Sequence, residues 1–148
     1  ASTVIRKNRR LVAVGSGFKS KNSRSKESSR LLTYGLTNFD TVQITSKDKV
    51  ADQLNVWLGK KKKLDAYVKK DTYITIPKAR KKYLKVITSY TGPIEAPIEN
   101  NQVVGKLKIY YKDELLEELN LLSKENVKKL NIFSRIITSI NYLIWGDV

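Results

Sequence analysis

The fold is decided by residues 102–122, QVVGKLKIYYKDELLEELNLL. The first half is rich in β-branched and aromatic side chains, which predicts a strand. The second half is ambiguous, because four of its leucines fit one face of a helix although the neighbouring segments are strand-like: Leu115, Leu116, Leu119 and Leu122. Local periodicity therefore leaves this half open between a strand and a helix.

Short β-prone segments also occupy the chain upstream of this stretch, from Asp40 onward. They follow one another at roughly ten residues with turn signals between them, and several alternate apolar and polar side chains, as in residues 73–76. Three prolines stand at segment ends, where they disturb a sheet least: Pro77, Pro93 and Pro97. This part of the chain predicts a small antiparallel β-sandwich or barrel of about 80 residues.

Residues 1–16 predict a strand hairpin around the polar turn Arg6-Lys7-Asn8-Arg9. A lone hairpin is only marginally stable, so we expect its sheet partners elsewhere. A polar loop then leads into a predicted helix with Ser23 or Ser25 near its N-cap and Gly35 at its end. The buried side of this helix is expected to carry Leu31, Leu32 and Tyr34.

The final stretch, residues 131–145, reads NIFSRIITSINYLIW and predicts an amphipathic helix with a wide apolar face. Basic residues precede it and aromatic residues end it, which is typical of a helix that lies in a membrane interface. An apolar run of about 18 residues, as a membrane-spanning helix needs, is missing. The alternatives are that this face packs on the chain's own sheet, or that it pairs with a second copy or another protein.

The predicted membrane-binding residues combine this apolar face with the basic and aromatic residues around it: Lys128, Lys129, Leu130, Phe133, Arg135, Ile136, Ile137, Ile140, Leu143, Ile144 and Trp145. Each large apolar side chain removed from water contributes roughly 1.5 kcal/mol or more. Each basic residue near an anionic leaflet adds about 1 kcal/mol. Because ordering the helix costs part of this sum, we expect reversible binding and not irreversible insertion.

The charge balance favours an anionic partner, because 29 Lys and Arg face 14 Asp and Glu and leave a net charge of +15. Nucleic acid, an anionic membrane and an anionic polymer all fit this charge. The chain has no Cys and no His, which excludes disulfides, thiol nucleophiles, His-based metal sites and His-dependent triads. We therefore expect no cofactor and no metal.

No residue is assigned a catalytic role. The S-x-x-K pattern of penicillin-recognising serine enzymes occurs at Ser16–Lys19, Ser23–Lys26 and Ser46–Lys49, but such matches are common in a chain rich in Ser and Lys. The accompanying S-x-N and K-T-G elements are missing. The neighbouring carboxylates Glu117 and Glu118 are interpreted as solvated strand residues that point apart.

Two further features keep a nucleic-acid-binding β-module open as the alternative function. The run Lys60–Lys63 is interpreted as a loop tip between strands, with nucleic-acid contact as its alternative. Six tyrosines stand among lysines on predicted strands and would stack on bases if they shared one face: Tyr67, Tyr73, Tyr83, Tyr90, Tyr110 and Tyr111.

The order of features resembles the C-terminal half of a D-alanyl-D-alanine carboxypeptidase of the low-molecular-mass penicillin-binding class. The segments that carry the resemblance are RRLVAV, SRLLTYGL, TVQI, TYITIPKARKKYLK and IEAPIENNQVVGKLKI, followed by the terminal helix. Its most specific parts are residues 73–77 and 96–105. The resemblance makes Lys112–Glu114 a turn and Leu116–Leu122 a strand, and it makes Gly105 a turn or bulge position in a strand that begins after ENNQ.

The resemblance implies a mainly β fold: an antiparallel β-sandwich with an N-terminal strand-strand-helix remnant of an α/β catalytic domain and a C-terminal amphipathic helix. Its boundaries are 1–37 for the remnant, 38–122 for the sandwich and 123–148 for the membrane-surface helix. It further implies an anchored periplasmic enzyme that removes the terminal D-alanine of peptidoglycan stem peptides through an acyl-serine intermediate.

The serine motifs of that family lie upstream of the position that aligns with Ala1, so this chain alone is expected to be inactive. The expected partners are the missing catalytic portion, an anionic membrane surface at the periplasmic face of the bacterial cytoplasmic membrane, and peptidoglycan through the parent enzyme. Self-association through the terminal helix is a further expectation.

Overall fold

The structure is a computed structural model that describes residues 1–6 and 9–146, without the side chains of Arg135, Thr138, Tyr142 and Trp145. The predicted turn residues Lys7 and Asn8 lie outside the described residues. The elements are β1 (Ser2–Arg6), β2 (Arg9–Ala13), α1 (Lys21–Asn38), β3 (Phe39–Thr45), β4 (Val50–Trp57), β5 (Lys63–Tyr67), β6 (Thr72–Pro77), a 3-10 helix (Lys78–Tyr83), β7 (Leu84–Ser89), β8 (Ile94–Glu95), β9 (Val103–Tyr111), β10 (Glu114–Ser123) and α2 (Ile132–Trp145). The predicted mainly β fold is confirmed.

The chain divides into two compact units. The first unit contains residues 1–43 and 73–82, and the second contains residues 44–72 and 83–148. In the first unit, β1 and β2 form the predicted antiparallel hairpin, with Ser2 opposite Ala13 and Arg6 opposite Arg9.

Helix α1 begins earlier and ends later than predicted. Its N-cap is Ser20, because this residue has an extended backbone and its Oγ accepts a hydrogen bond of 3.1 Å from the backbone N–H of Ser23. The helix also continues through Gly35 and ends at Asn38. A Cβ on residue 35 would lie 3.0 Å from Cδ1 of Leu11, so residue 35 lies against β2 within the helix and does not end it.

The predicted buried side of α1 is wrong for two residues. Leu31 and Tyr34 are both 55% exposed, and Leu32 is only half-buried. No residue of α1 is buried. The physical reason is that the β1–β2 hairpin is too narrow a sheet to cover a helix of this length.

In the second unit, six strands form one sheet in the order β7-β9-β10-β5-β4-β8. The described pairings in this sheet are antiparallel except for the parallel pair β4 and β8. The largest fully buried apolar side chains of the core come from strands β4, β5, β9 and β10 and from the bridge between residues 98 and 127: Leu54, Leu64, Ile109, Leu121, Ile98 and Val127.

The ambiguous leucine segment is a strand, as the family resemblance implies. Lys112 and Asp113 form the turn, whereas Glu114, which the resemblance places in the turn, is the first residue of β10 and pairs with Tyr111. Burial alternates from residue 118 to residue 121, because Leu119 and Leu121 are buried beside exposed neighbours, and Leu122 is also buried where the register shifts. Leu115 and Leu116, which share the helical pattern, are exposed instead. Pairing with β9 therefore decides the conformation against the local helical spacing.

Gly105 lies at a bulge in β9, as predicted, and the strand begins directly after Gln102. The register shifts between Gly105, which is opposite Leu121, and Val103, which is opposite Leu122. A Cβ on residue 105 would lie 2.9 Å from Cβ of Tyr90 and 3.1 Å from a backbone oxygen of β7. The position therefore needs a residue without a side chain.

Candidate membrane-binding surface

The segment that leads into α2 is fixed to the sheet by backbone hydrogen bonds. Residues 127–130, here called the α2 root, lie beside Ile98 on one side and beside the β4–β5 loop on the other. Val127 and Ile98 exchange two N–H···O bonds of 2.8 and 2.9 Å. The Leu130 N–H donates to the Leu58 carbonyl, and the Lys60 N–H donates to the Lys128 carbonyl, both at 2.9 Å. The helix therefore starts directly after a held segment.

The apolar face of α2 is not covered. Its described large apolar residues each keep more than half of their surface exposed: Ile132 at 71%, Phe133 at 83%, Ile136 at 53%, Ile137 at 61%, Ile140 at 52%, Leu143 at 88% and Ile144 at 63%. Leu130, in the α2 root, is half-buried. The alternative that this face packs on the chain's own sheet is thus not supported by the described residues of this unit.

An apolar groove of about 430 Å³ runs along this face, lined by Leu58, Ile132, Ile136, Ser139, Ile140, Leu143 and Ile144. Leu58 belongs to the β4–β5 loop and is not among the residues predicted from the sequence. It has a positive φ of 55°, which is uncommon for a side chain of this size. No local pattern marks Leu58, because its position beside α2 depends on hydrogen bonds between segments about 70 residues apart.

The predicted basic residues Lys128 and Lys129 are exposed on the α2 root. Lys129 Nζ lies 3.4 Å from a carboxylate oxygen of Glu95. The side chains of Arg135 and Trp145, also predicted to bind the membrane, lie outside the described residues. No helix among the described residues combines the length and the apolarity that crossing a membrane requires.

The tyrosines do not form one stacking face. Tyr67 is buried, and its hydroxyl donates to Oδ1 of Asn101. Tyr110 and Tyr111 are successive residues of β9 and so point to opposite faces of the sheet. Tyr73 belongs to the first unit. The alternative of a stacking platform for nucleic-acid bases is therefore not supported by the tyrosines of the second unit.

The two neighbouring carboxylates of β10 pair with different lysines, and the sequence interpretation as solvated residues does not include these ion pairs. Glu117 lies 2.6 Å from Nζ of Lys70, and Glu118 lies 2.6 Å from Nζ of Lys106 and 3.9 Å from Nζ of Lys108. The hydrogen bond from Lys106 lowers the pKa of Glu118 below its ordinary value. Within the described part of the chain, no group of three or more acidic residues could hold a metal ion.

Comparisons with known proteins agree on one family. Residues 39–129 match the family described as "Penicillin-binding protein 5, C-terminal domain". The chain is 35% identical over 129 residues to D-alanyl-D-alanine carboxypeptidase DacD of Salmonella typhimurium, covering 86% of this chain and 33% of the relative. It is 32% identical over 137 residues to DacA of Escherichia coli, covering 90% of this chain and 34% of the relative. The chain thus spans about a third of the length of these curated relatives.

The fold comparison agrees with the sequence comparison. The crystal structure of penicillin-binding protein 5 from Haemophilus influenzae superimposes with a TM-score of 0.66 at 26% identity, covering 86% of this chain and 38% of that one. The carboxypeptidase DacD of Francisella tularensis superimposes with a TM-score of 0.57, also at 26% identity. Nothing in these comparisons supports the nucleic-acid-binding alternative. The chain belongs to the family described as "Penicillin-binding protein 5, C-terminal domain".

Proposed function

We propose that this chain supports and anchors a serine-type D-alanyl-D-alanine carboxypeptidase that trims the terminal D-alanine of peptidoglycan stem peptides. In this proposal residues 1–37 complete the catalytic domain, residues 38–122 form the supporting β-domain, and residues 123–148 hold the enzyme on the periplasmic face of the bacterial cytoplasmic membrane. The names of the relatives support the activity. One observation carries the anchoring role: the apolar face of α2 is exposed while its root is fixed to the sheet.

The free energy of burying its apolar side chains favours binding of α2 to a membrane surface. The seven described apolar residues would each contribute roughly 1.5 kcal/mol or more if removed from water, which exceeds the marginal hold of a single acyl chain. An amphipathic helix with basic residues at one end lies in the plane of an anionic interface. The bonded root of α2 would transmit that attachment to the β-domain.

The first unit has exposed apolar side chains that would contact the catalytic portion of the proposed enzyme. Ile5 is 69% exposed, Val12 is 58% exposed and Val14 is 78% exposed. Leu31 and Tyr34 of α1 are exposed as well. Such apolar side chains on a hairpin and a helix with no buried residue are expected where further strands and helices of the same protein pack. Contact with peptidoglycan would then come through the catalytic portion.

Co-sedimentation with vesicles tests the anchoring role. The full chain is compared with a chain that ends at Asn131, which removes α2 and keeps the hydrogen bonds of the root. We expect the full chain to sediment with vesicles that contain anionic lipid and the shortened chain to stay in solution. Ile137→Asp should release the full chain, because a carboxylate in the middle of the apolar face opposes burial.

Asn141→Asp is the matched control, since it adds the same charge at an exposed polar position of α2. It should weaken binding by no more than about fivefold, because it adds one like charge near the lipid surface and leaves the apolar face intact. If the full chain and the shortened chain both stay in solution, the anchoring role is wrong. If sedimentation velocity then shows an oligomer that Ile137→Asp dissociates, the apolar face instead pairs with a second copy.

A further inference from the structure

The lysine run of the β4–β5 loop lies against the root of the terminal helix. The loop residues 58–60 run antiparallel to residues 128–130, with Gly59 bridged to Lys129 and backbone hydrogen bonds on both sides of that bridge. Helix α2 begins two residues after Leu130. Two segments that are about 70 residues apart in the sequence thus form one continuous piece of surface.

The loop is held rigidly in this position. A Cβ on residue 59 would lie 2.7 Å from Cγ1 of Val56 and 2.9 Å from Cγ1 of Val127. Both valines are buried, so the backbone of Gly59 rests directly on the core. The backbone of Lys60, which follows Gly59 and donates to the Lys128 carbonyl, therefore has a fixed location beside the root of α2.

Three lysines of the β4–β5 loop and the α2 root, Lys60, Lys62 and Lys128, are here called the basic root cluster. All three are exposed, and among the described residues none lies within ion-pair distance of a carboxylate. Their neighbour Lys61 is different, because it pairs with Glu125. The cluster is thus a group of uncompensated positive charges next to an exposed apolar helix.

We propose that the basic root cluster binds the anionic headgroups of the lipid surface on which α2 rests. This inference rests on the anchoring role proposed above and extends the membrane-binding surface to a loop of the β-domain. A helix in the interface plane brings its own root to the level of the headgroups, where positive charges are attracted. Leu58 supports the same arrangement, because it joins the apolar groove of α2 directly before the lysines.

Lipid is favoured over a soluble anionic polymer because of this juxtaposition. A charged polymer would need only the lysines, whereas the cluster stands at the end of an apolar face that a polymer would leave exposed to water. The cationic residues match the anionic headgroups of a membrane surface, and the adjoining apolar helix matches the acyl chains beneath them. The proposal therefore predicts binding that depends on the anionic lipid fraction.

The test replaces two members of the cluster, Lys60→Gln with Lys62→Gln, in the full chain. The matched control is Lys85→Gln with Lys112→Gln, which removes the same charge from exposed positions. Lys112 is in the β9–β10 turn, and Lys85 is opposite Tyr110 beside that turn. This turn is at one end of β10, and Ser123, four residues before the α2 root, is at the other end. The two ends are about 30 Å apart, because each residue of a strand rises about 3.3 Å.

Partition onto vesicles is measured at low salt with and without anionic lipid. The cluster variant should bind anionic vesicles about 30-fold more weakly, since each lysine near the surface contributes about fivefold, and the control should change by less than threefold. On purely zwitterionic vesicles, the cluster variant and the original chain should bind alike because α2 is unchanged.

Three results would overturn the proposal. Equal losses for the cluster variant and the control would mean that only net charge matters. No loss for the cluster variant, while the chain ending at Asn131 fails to bind, would leave the anchoring role intact and exclude the loop. A loss on soluble polyglutamate without a loss on anionic vesicles would make the cluster a site for an anionic polymer. Failure of the original chain to bind any vesicle would instead refute the anchoring role itself.

Discussion

Gly59→Ala is expected to destabilise the second unit by about 1–2 kcal/mol. The new Cβ would approach the Cγ1 atoms of Val56 and Val127 to 2.7 and 2.9 Å and the Lys61 carbonyl to 3.1 Å. Overpacking of this kind costs typically 1–3 kcal/mol. Alanine also reduces the entropy of the unfolded chain, which stabilises the folded state by about 0.4–1 kcal/mol. The cost of the clash exceeds this entropic gain, because both valines are only 2% exposed and cannot move into solvent.

Urea unfolding of the full chain measures this change, with Gly35→Ala as the control. Residue 35 is inside α1, and its Cβ would meet only the end of the Leu11 side chain at 3.0 Å. The helix preference of alanine, about 1 kcal/mol over glycine, should leave that variant equally or more stable. Hydrogen exchange gives a local reading, because the amides of Lys60 and Leu130 should lose protection in Gly59→Ala. Unchanged stability together with unchanged protection would refute the fixed contact between the loop and the α2 root.

Three further predictions concern other positions. Gly105→Ala should cost about 1–3 kcal/mol in urea unfolding, because its Cβ would meet Tyr90 at 2.9 Å; a neutral result would contradict the bulge geometry. Leu58→Asn should keep or raise stability, since Asn tolerates a positive φ, yet weaken vesicle binding about fivefold through lost apolar contact. If Leu58→Asn and the original chain partition onto vesicles equally, Leu58 does not belong to the membrane-binding surface. The lowered pKa of Glu118 means that its bond to Lys106 stabilises the fold above the ordinary carboxyl value of 4.5, and that this contribution is lost as the pH falls below 4.5 through the lowered pKa. The urea midpoints of Glu118→Gln and the original chain should therefore differ at neutral pH and converge in acid, and a constant difference would argue against the pairing.

The differences between expectation and structure have identifiable causes. The N-cap was expected at Ser23 or Ser25 but is Ser20, because any serine in an extended conformation before a helix can cap it, and spacing alone does not distinguish them. Gly35 is predicted to end α1 but lies within the helix, where it faces the end of the Leu11 side chain. Leu31 and Tyr34 were expected to be buried, yet the two-stranded hairpin does not cover them. The N-cap is a local contact between Ser20 and Ser23, whereas the other two differences depend on the hairpin, which is distant from these residues in the sequence.

The sequence by itself determined the properties that depend on composition and on neighbours within one or two turns. These are the positive charge, the lack of Cys and His chemistry, the alternation of the strands and the amphipathic period of α2. The family resemblance added the strand at residues 116–122, which local spacing left open.

Only the tertiary structure decided which segments meet. It places the loop at Lys60 and Lys62 beside the root of α2, and it leaves the apolar face of that helix uncovered. The physical reason is that backbone hydrogen bonds between strands carry no residue-specific signal, so their register follows from the packing of the whole sheet. A basic loop and an apolar helix about 70 residues apart become one surface only after that packing is complete.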